Sequence, residues 1–278
     1  MGVTLNVRSS FLASLTLTSA VALTGCDLIQ FMQNTVVVSG LVVATPRVEY
    51  PGYFDVPSEV VATAWVGQRD SVTATTEPQP VSGVAVSVGF DGTTVTLTED
   101  PDQQGVYVAR SKDNPVLTYE AGRTYSFDAI VTDTHGGETE APTQLQPEAM
   151  TFEPAFGTHD FLPQLKTHPK DEPLVVSWDA SSGTFSFVTV IRADPMTPDE
   201  PEVVFDTRPE NAAQALKMLA QPATSVTIPG EHFAKDGLYA VVVFAADKGE
   251  TRTNTFFGSP FLAGSGAAVL VTVGSFGL

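Results

Sequence analysis

Apolar and polar residues alternate along many short segments of the chain. In Val84–Phe90, valine or phenylalanine occupies every second position, which is typical of a strand with one buried face. The alternation resumes at Thr94 after Asp91-Gly92, a strong cue for a β-hairpin. Similar runs occur at 36–43, 60–66, 106–109 and 125–132. About seven strands at this spacing predict a β-sandwich in the first half of the chain.

The second half shows the same kind of pattern, with strands predicted at 174–178, 185–191, 225–228, 238–246 and 267–273. The run 238–246 is apolar on both faces, so we expect it to be a central strand. One short helix is predicted before Pro222, because Thr207 and Glu210 form a capping box and four apolar residues follow on one stripe. The fold class expected from these patterns is all-β.

Composition divides the chain into two expected domains. Between Thr139 and Pro154 the sequence turns to Glu, Pro, Gln and Thr, which bury little apolar surface. We therefore place a linker at 141–155, a first sandwich at 36–140 and a second at 156–278.

The amino-terminal segment has the layout of a secretory signal. Arg8 precedes an apolar run, Phe11–Leu23, that is too short to span a bilayer. The run ends in Leu23-Thr24-Gly25-Cys26, which resembles the lipobox of bacterial lipoproteins. That resemblance implies a signal peptide at 1–25, acyl chains of the palmitate type on Cys26 and an anchor linker at 26–35. It places the chain in the bacterial cell envelope, membrane-anchored and facing the periplasm or cell surface. The alternative is a soluble secreted protein.

The charge of the chain narrows the choice of partners. There are 32 acidic and 14 basic residues, giving a net charge of -18. This balance argues against nucleic acid as a partner and against adhesion to anionic lipid through a basic face. We interpret the net negative charge of the chain as a means of keeping an exported protein soluble.

Cys26 is the only cysteine, so no disulfide within the chain supports the fold.

A second resemblance covers roughly residues 170 to 275. Three segments, Pro173–Asp179, Phe185–Val188 and Gly237–Val241, resemble strands of fibronectin type III and related immunoglobulin-like modules. The resemblance implies two immunoglobulin-like sandwiches, with Trp178 as the core tryptophan of the second and a role in contact and not catalysis. The predicted helix departs from the usual module, which leaves the strand order before Ser225 open.

Candidate metal ligands are few. The chain has four histidines, and none has a partner at the spacing of a helical metal site; His159-Asp160 with His168 is the zinc alternative to ordinary loop imidazoles. The segment Asp100–Gly105 is similar to half of a calcium loop, but Ser111 stands where the bidentate Glu belongs. A polar turn is the simpler interpretation, and calcium remains an open hypothesis.

Aromatic residues supply the candidate ligand contact. Tyr50, Tyr53 and Phe54 lie on a turn-like segment with Pro51 and Gly52, and exposed rings on a β-scaffold stack on sugars or on protein partners. The alternative is that these rings close the open end of the first sandwich.

The function expected from the sequence is therefore contact. No Gly-x-Ser-x-Gly elbow, phosphate loop, His-Glu-x-x-His motif or cysteine pair is present, so we expect no enzyme. The leading hypothesis is a noncatalytic envelope lipoprotein, held to the membrane through Cys26, with a structural or partner-binding role. Its partner would be an envelope protein or a glycan. The alternatives are a carbohydrate- or peptide-binding accessory of an uptake or degradation system and, at a distance, an enzyme of unknown type.

Overall fold

Strands make up most of the part of the chain that the structure describes. The structure is a computed structural model, and it describes residues 35–71, 77–159, 165–194, 197–208, 223–252, 255 and 260–275. Within these ranges the helices are 3-10 turns of three or four residues, at Pro147–Ala149, Ala180–Ser182 and Gly230–Phe233. The predicted all-β class is confirmed.

The described residues of the first half form strands β1 (Val36–Ala44), β2 (Val48–Tyr50), β3 (Phe54–Val56), β4 (Val60–Gln68), β5 (Gln79–Pro80), β6 (Ala85–Phe90), β7 (Thr93–Glu99), β8 (Val106–Arg110), β9 (Thr124–Ile130) and β10 (Thr134–Glu140). Every alternating run of the first half overlaps one of these strands, with Val84 just before β6 and residues 131–132 just after β9. At the predicted β6–β7 hairpin, Asp91 and Gly92 have φ values of 47° and 74°. Positive φ at both turn positions is the type I′ geometry that matches strand twist.

The second half contributes β11 (Met150–Glu153), β12 (Gly157–Thr158), β13 (Lys166–His168), β14 (Leu174–Trp178), β15 (Phe185–Asp194), β16 (Thr197–Asp206), β17 (Ser225–Ile228), β18 (Gly237–Lys248), β19 (Glu250–Thr251) and β20 (Phe261–Val273). The apolar strand β18 lies between β15 and β20, as its pattern predicts for a central strand.

One continuous sheet runs through both halves. Its main path is β16-β15-β18-β20-β1-β4-β8-β7-β6-β9-β10-β19. The halves meet where β20 pairs in parallel with β1, with Gly40 opposite Phe261 and Ala44 opposite Ser265, and again where the short strand β19 pairs with β10. A three-stranded sheet, β11-β14-β17, and the hairpin β2-β3 complete the described architecture.

The interval 141–155, which the composition suggests is a linker, is structured. It contains β11, which pairs with β14, and its side chains Leu145 and Met150 are 1% and 6% exposed. These few apolar residues pack into the second half, although the average composition of the segment is polar. The interval is therefore not a solvated tether along its length.

Two hydrophobic cores lie on the same face of the central strands. The first core combines strands of the first half with the start of β20 and is formed by Val36, Val38, Val42, Ala62, Ala64, Val66, Val86, Val88, Phe90, Val95, Leu97, Tyr107, Ala109, Leu117, Tyr125, Phe127, Ala129, Ala141, Phe261 and Ala263. The second core is formed by Leu145, Met150, Leu174, Val176, Trp178, Val188, Val190, Ile228, Phe233, Tyr239, Val241, Val243, Ala245, Ala267, Val271 and Val273. Every β20 residue in either core has an odd number, and side chains two positions apart point to the same face of a strand. The opposite face is thereby left for other contacts.

Some predictions fall outside the described residues. The signal peptide, Cys26 and nearly all of the anchor linker are among residues 1–34, and most of the predicted helix is in 209–222. Thr207 is described: its backbone N–H donates to the Val188 carbonyl at 3.0 Å, which extends the β15–β16 ladder. No helix of the described part is long and apolar enough to cross a membrane.

Candidate functional site

A cleft of about 640 Å³ opens on the sheet face opposite the two cores. Its floor combines strands from both halves of the chain, through the side chains of Leu41, Val43, Val61, Val108, Phe185, Phe187, Ile191, Val242, Phe244 and Leu262. Most of these belong to a third apolar cluster, centred on Val43, Val61, Ile191, Val242 and Phe244. Because β1 and β4 belong to the first half and β15 and β18 to the second, this floor depends on the β1–β20 pairing.

Small residues on β20 make room for aromatic rings in the floor. On the cleft face of β20, Gly264, Gly266 and Ala268 stand between two leucines. A Cβ at Gly266 would lie 2.7 Å from atoms of both Phe244 and Pro46. The side chains of Phe244 and Pro46 can therefore pack against β20 at this position because it is a glycine. The Phe244 ring in turn stacks on Phe187, with centroids 4.7 Å apart.

The β2–β3 hairpin forms one wall of the cleft. Phe54, at the start of β3, is 3% exposed and lines the cleft together with Val48 and Val56. Tyr50 and Tyr53 are half-buried, pack on the third apolar cluster and lie with ring centroids 5.7 Å apart. Burial, and then the neighbouring Tyr53, raises the pKa of Tyr50. Of the three candidate contact residues, Phe54 is therefore the one that lines the cleft.

Charged side chains surround the mouth. Arg110 forms an ion pair with Glu59 at one edge. The Glu99 carboxylate accepts hydrogen bonds from the backbone N–H groups of Gly105 at 3.0 Å and Gly83 at 2.9 Å. The pKa of Glu99 is lowered chiefly by the bond from Gly105, then by Ser82 and Gly83. These groups fix the shape of the rim, because each binds a partner within the protein.

The calcium-loop candidate folds as a turn at this rim. Asp100 accepts at its Oδ1 from the N–H of Asp102 at 2.9 Å, and its carbonyl accepts from the N–H of Gln103 at 3.2 Å. Ser111, at the position of the missing Glu, accepts from the N–H of Val60 at 2.9 Å. Across the described ranges, no group of three or more His, Cys, Asp or Glu side chains is placed to hold a metal ion. Neither metal hypothesis gains support there.

His168 is a buried imidazole. It is 3% exposed, its Nε2 lies 2.9 Å from the Glu172 carbonyl oxygen, and its Nδ1 has no hydrogen-bond partner. The His168 ring packs edge-on against the ring of Phe233, with the ring centroids 4.5 Å apart. Desolvation lowers the pKa of His168. The His159-Asp160-His168 zinc hypothesis includes Asp160, which lies outside the described residues.

The described residues that line the cleft do not include a Ser-His or Cys-His pair, because no Ser, Cys or His side chain is among them. The hydroxyl groups of the cleft are those of Thr45, Thr96 and Thr98, and Thr45 donates at 3.0 Å to the carbonyl of Glu59. The arrangement is suited to holding an apolar group beneath charged edges.

Comparison of the sequence with protein-family models and with the curated proteins finds no match.

Proposed function

We propose that this protein is a noncatalytic lipoprotein of the bacterial cell envelope that binds a ligand in the cleft. One observation carries the binding role: a cleft of about 640 Å³ with an apolar floor, charged edges and no Ser, Cys or His among its described lining residues. Volumes of this size are typical of sites for small molecules. The floor draws on both halves of the chain, so the site is a property of the whole sheet.

The anchor rests on the sequence. Leu23-Thr24-Gly25-Cys26 follows a short apolar run, as in lipoprotein precursors. Acyl chains on Cys26 would hold the protein at the membrane, because each buried methylene contributes about 0.8 kcal/mol and two chains give stable attachment.

The anchor is tested by mass spectrometry of the amino-terminal peptide and by membrane sedimentation. We expect a peptide that begins at Cys26 with added acyl mass, and we expect Cys26→Ser to lose both the acyl mass and the sedimentation with membranes. Gly25→Ala is the matched control, because it keeps a small residue before the cysteine. An unmodified Cys26 in the wild-type protein would refute the proposal of a lipoprotein.

A glycan-binding accessory is the second candidate, and the two half-buried rings of Tyr50 and Tyr53 favour it. Rings at a hairpin tip stack on sugars when polar groups flank them. A Tyr50→Ala, Tyr53→Ala double variant should then lose its signal on a glycan array. Binding that is unchanged in this variant rejects the candidate.

A further inference from the structure

The floor and the mouth of the cleft differ sharply in chemistry. The floor is aliphatic and aromatic, and three of its side chains, Leu41, Val108 and Phe187, are only partly buried, as is Val56 in the adjoining wall. The mouth carries six carboxylates and two cations: Asp55, Glu59, Glu99, Asp100, Asp102, Asp113, Arg110 and Lys112. An occupant that fits both regions has an apolar body and a positively charged end.

Half of these eight charges are already engaged within the protein. Arg110 pairs with Glu59, the Glu99 carboxylate binds two backbone N–H groups, and Asp100 accepts from Asp102. Three exposed carboxylates remain without an ion pair in the described part of the chain: those of Asp55, Asp102 and Asp113. Lys112 is the one rim cation without an ion pair there. The free charge at the mouth is therefore predominantly negative.

The geometry points to a single small amphiphile as the ligand, with a hydrocarbon or aromatic body on the floor and a cationic end at Asp55, Asp102 and Asp113. This inference rests on the proposed binding function and specifies its ligand. The apolar body removes the partly exposed floor from water, which is the main source of affinity. The cationic end selects among amphiphiles, because opposite charges attract near a low-dielectric wall.

The size of the cleft favours a small ligand over a protein. About 640 Å³ falls within the range of roughly 300 to 1,000 Å³ that is usual for small-molecule sites. A stable protein partner would instead cover about 800 Å² of surface on each side. The floor offers few hydrogen-bonding groups, so a sugar would leave most of its hydroxyls without partners.

Three amphiphiles with the same chain and different head groups test the inference. Decyltrimethylammonium, decyl sulfate and decyl maltoside are titrated by calorimetry, each below its micelle concentration. The protein is the form purified from cells, in nanodiscs of neutral lipid if it is acylated and in buffer if it is not, and the signal of empty nanodiscs or of buffer is subtracted. We expect one saturable site per chain, about ten-fold tighter for the cation than for the sulfate at low salt. The preference should shrink as salt screens the exposed carboxylates.

Two kinds of variant locate the site. Leu41→Trp and Val108→Phe each fill part of the floor, and both should abolish binding of all three amphiphiles while the protein keeps a cooperative thermal transition. The triple variant Asp55→Asn, Asp102→Asn, Asp113→Asn should retain binding and lose the preference for the cation. Its matched control replaces the exposed acids Glu77, Asp133 and Glu148, which do not line the cleft, and should keep that preference.

Each other outcome overturns the inference. Equal affinity for the three head groups removes the cationic end from the proposal. Absence of saturable binding, or binding that both floor variants leave unchanged, removes the cleft as the site. If the rim variant and its control behave alike, the preference comes from the overall charge of the protein. None of these results bears on the acylation of Cys26, so a failure here is distinguishable from a failure of the envelope proposal.

Discussion

Gly40 of β1 lies opposite Phe261 of β20, at a point where the two halves of the sheet meet. The N–H of Gly40 donates to the carbonyl of Pro260 at 3.0 Å. A Cβ at Gly40 would lie 2.6 Å from the ring of Phe127, whose centroid is 5.8 Å from that of Phe261. The Phe127 ring therefore packs over a strand position that has no room for a side chain, and Phe261 packs against that ring.

Gly40→Ala should destabilise the protein by about 1 to 3 kcal/mol, because the added methyl group forces the Phe127 ring to move within a packed core. Urea unfolding followed by circular dichroism measures the change. Gly89→Ala is the control, since its Cβ would come no closer than 3.7 Å to a neighbouring atom. Equal stability of the two variants would show that the Phe127 ring does not restrict this position.

The two halves should unfold together, because one sheet joins them. The chain has two tryptophans, Trp65 on β4 and Trp178 on β14, so each half carries its own fluorescent probe. Each of the variants Trp65→Phe and Trp178→Phe keeps one tryptophan. We expect the fluorescence of that tryptophan to change at the same urea concentration as the circular dichroism of the same variant. Fluorescence and circular dichroism midpoints that separate within either variant would mean that the halves are independent domains.

His168 should make the stability depend on pH. Its pKa is lowered from the ordinary value of 6.5 by burial, so the unfolded chain binds the proton more tightly than the folded one. The neutral ring contributes fully to the free energy of unfolding above about pH 6.5. That contribution decreases as the pH falls toward the pKa of His168 in the folded protein. Protonation would also create a second N–H at Nδ1, which has no acceptor.

The measurement is the free energy of unfolding between pH 7.5 and 5 for the wild type and for His168→Gln, whose amide can still donate to the Glu172 carbonyl. We expect the variant to lose part of the decrease seen at acidic pH. His232→Gln is the matched substitution at a second histidine. Parallel pH profiles for wild type and His168→Gln would contradict this account.

Tyr107→Phe should lower the free energy of unfolding by about 1 kcal/mol, because the hydroxyl group joins two backbone groups. It donates to the carbonyl of Val81 at 2.9 Å and accepts from the N–H of Val84 at 3.2 Å. Urea unfolding measures the loss. Tyr107→Leu should cost more, since it also removes a ring that is 2% exposed in the first core. Equal losses for the two variants would mean that the hydroxyl bridge carries the whole effect.

Local pattern predicted the strands well where one face is buried. The alternation of Val84–Phe90 and the Asp91-Gly92 pair appear in the structure as β6, a turn and β7. Strand β10 escaped prediction because it contains Gly136 and Gly137, which disfavour strands. A Cβ at Gly136 would lie 1.8 Å from the carbonyl oxygen of Phe127, so close backbone approach explains the glycines.

The cleft was only partly predictable. The aromatic residues of the segment Tyr50–Phe54 predicted a ligand contact, and the structure places Phe54 in the wall of the cleft. The floor depends on the pairing of Gly40–Ala44 with Phe261–Ser265, and no local pattern reports a register between segments so far apart in sequence. One usable signal was present: on β20 the even positions between Leu262 and Leu270 are Gly, Gly and Ala, which indicates a close crossing.

The central position of β1 has a mechanical consequence. The strand is flanked by β4, with nine aligned residue pairs, and by β20, with five. The hydrogen bonds of such ladders run across the strand direction. Tension applied along β1 from its amino-terminal side would shear both ladders at once and would not peel them apart bond by bond. Mechanical unfolding of the sheet by a pull at that end would therefore be opposed by both ladders acting together.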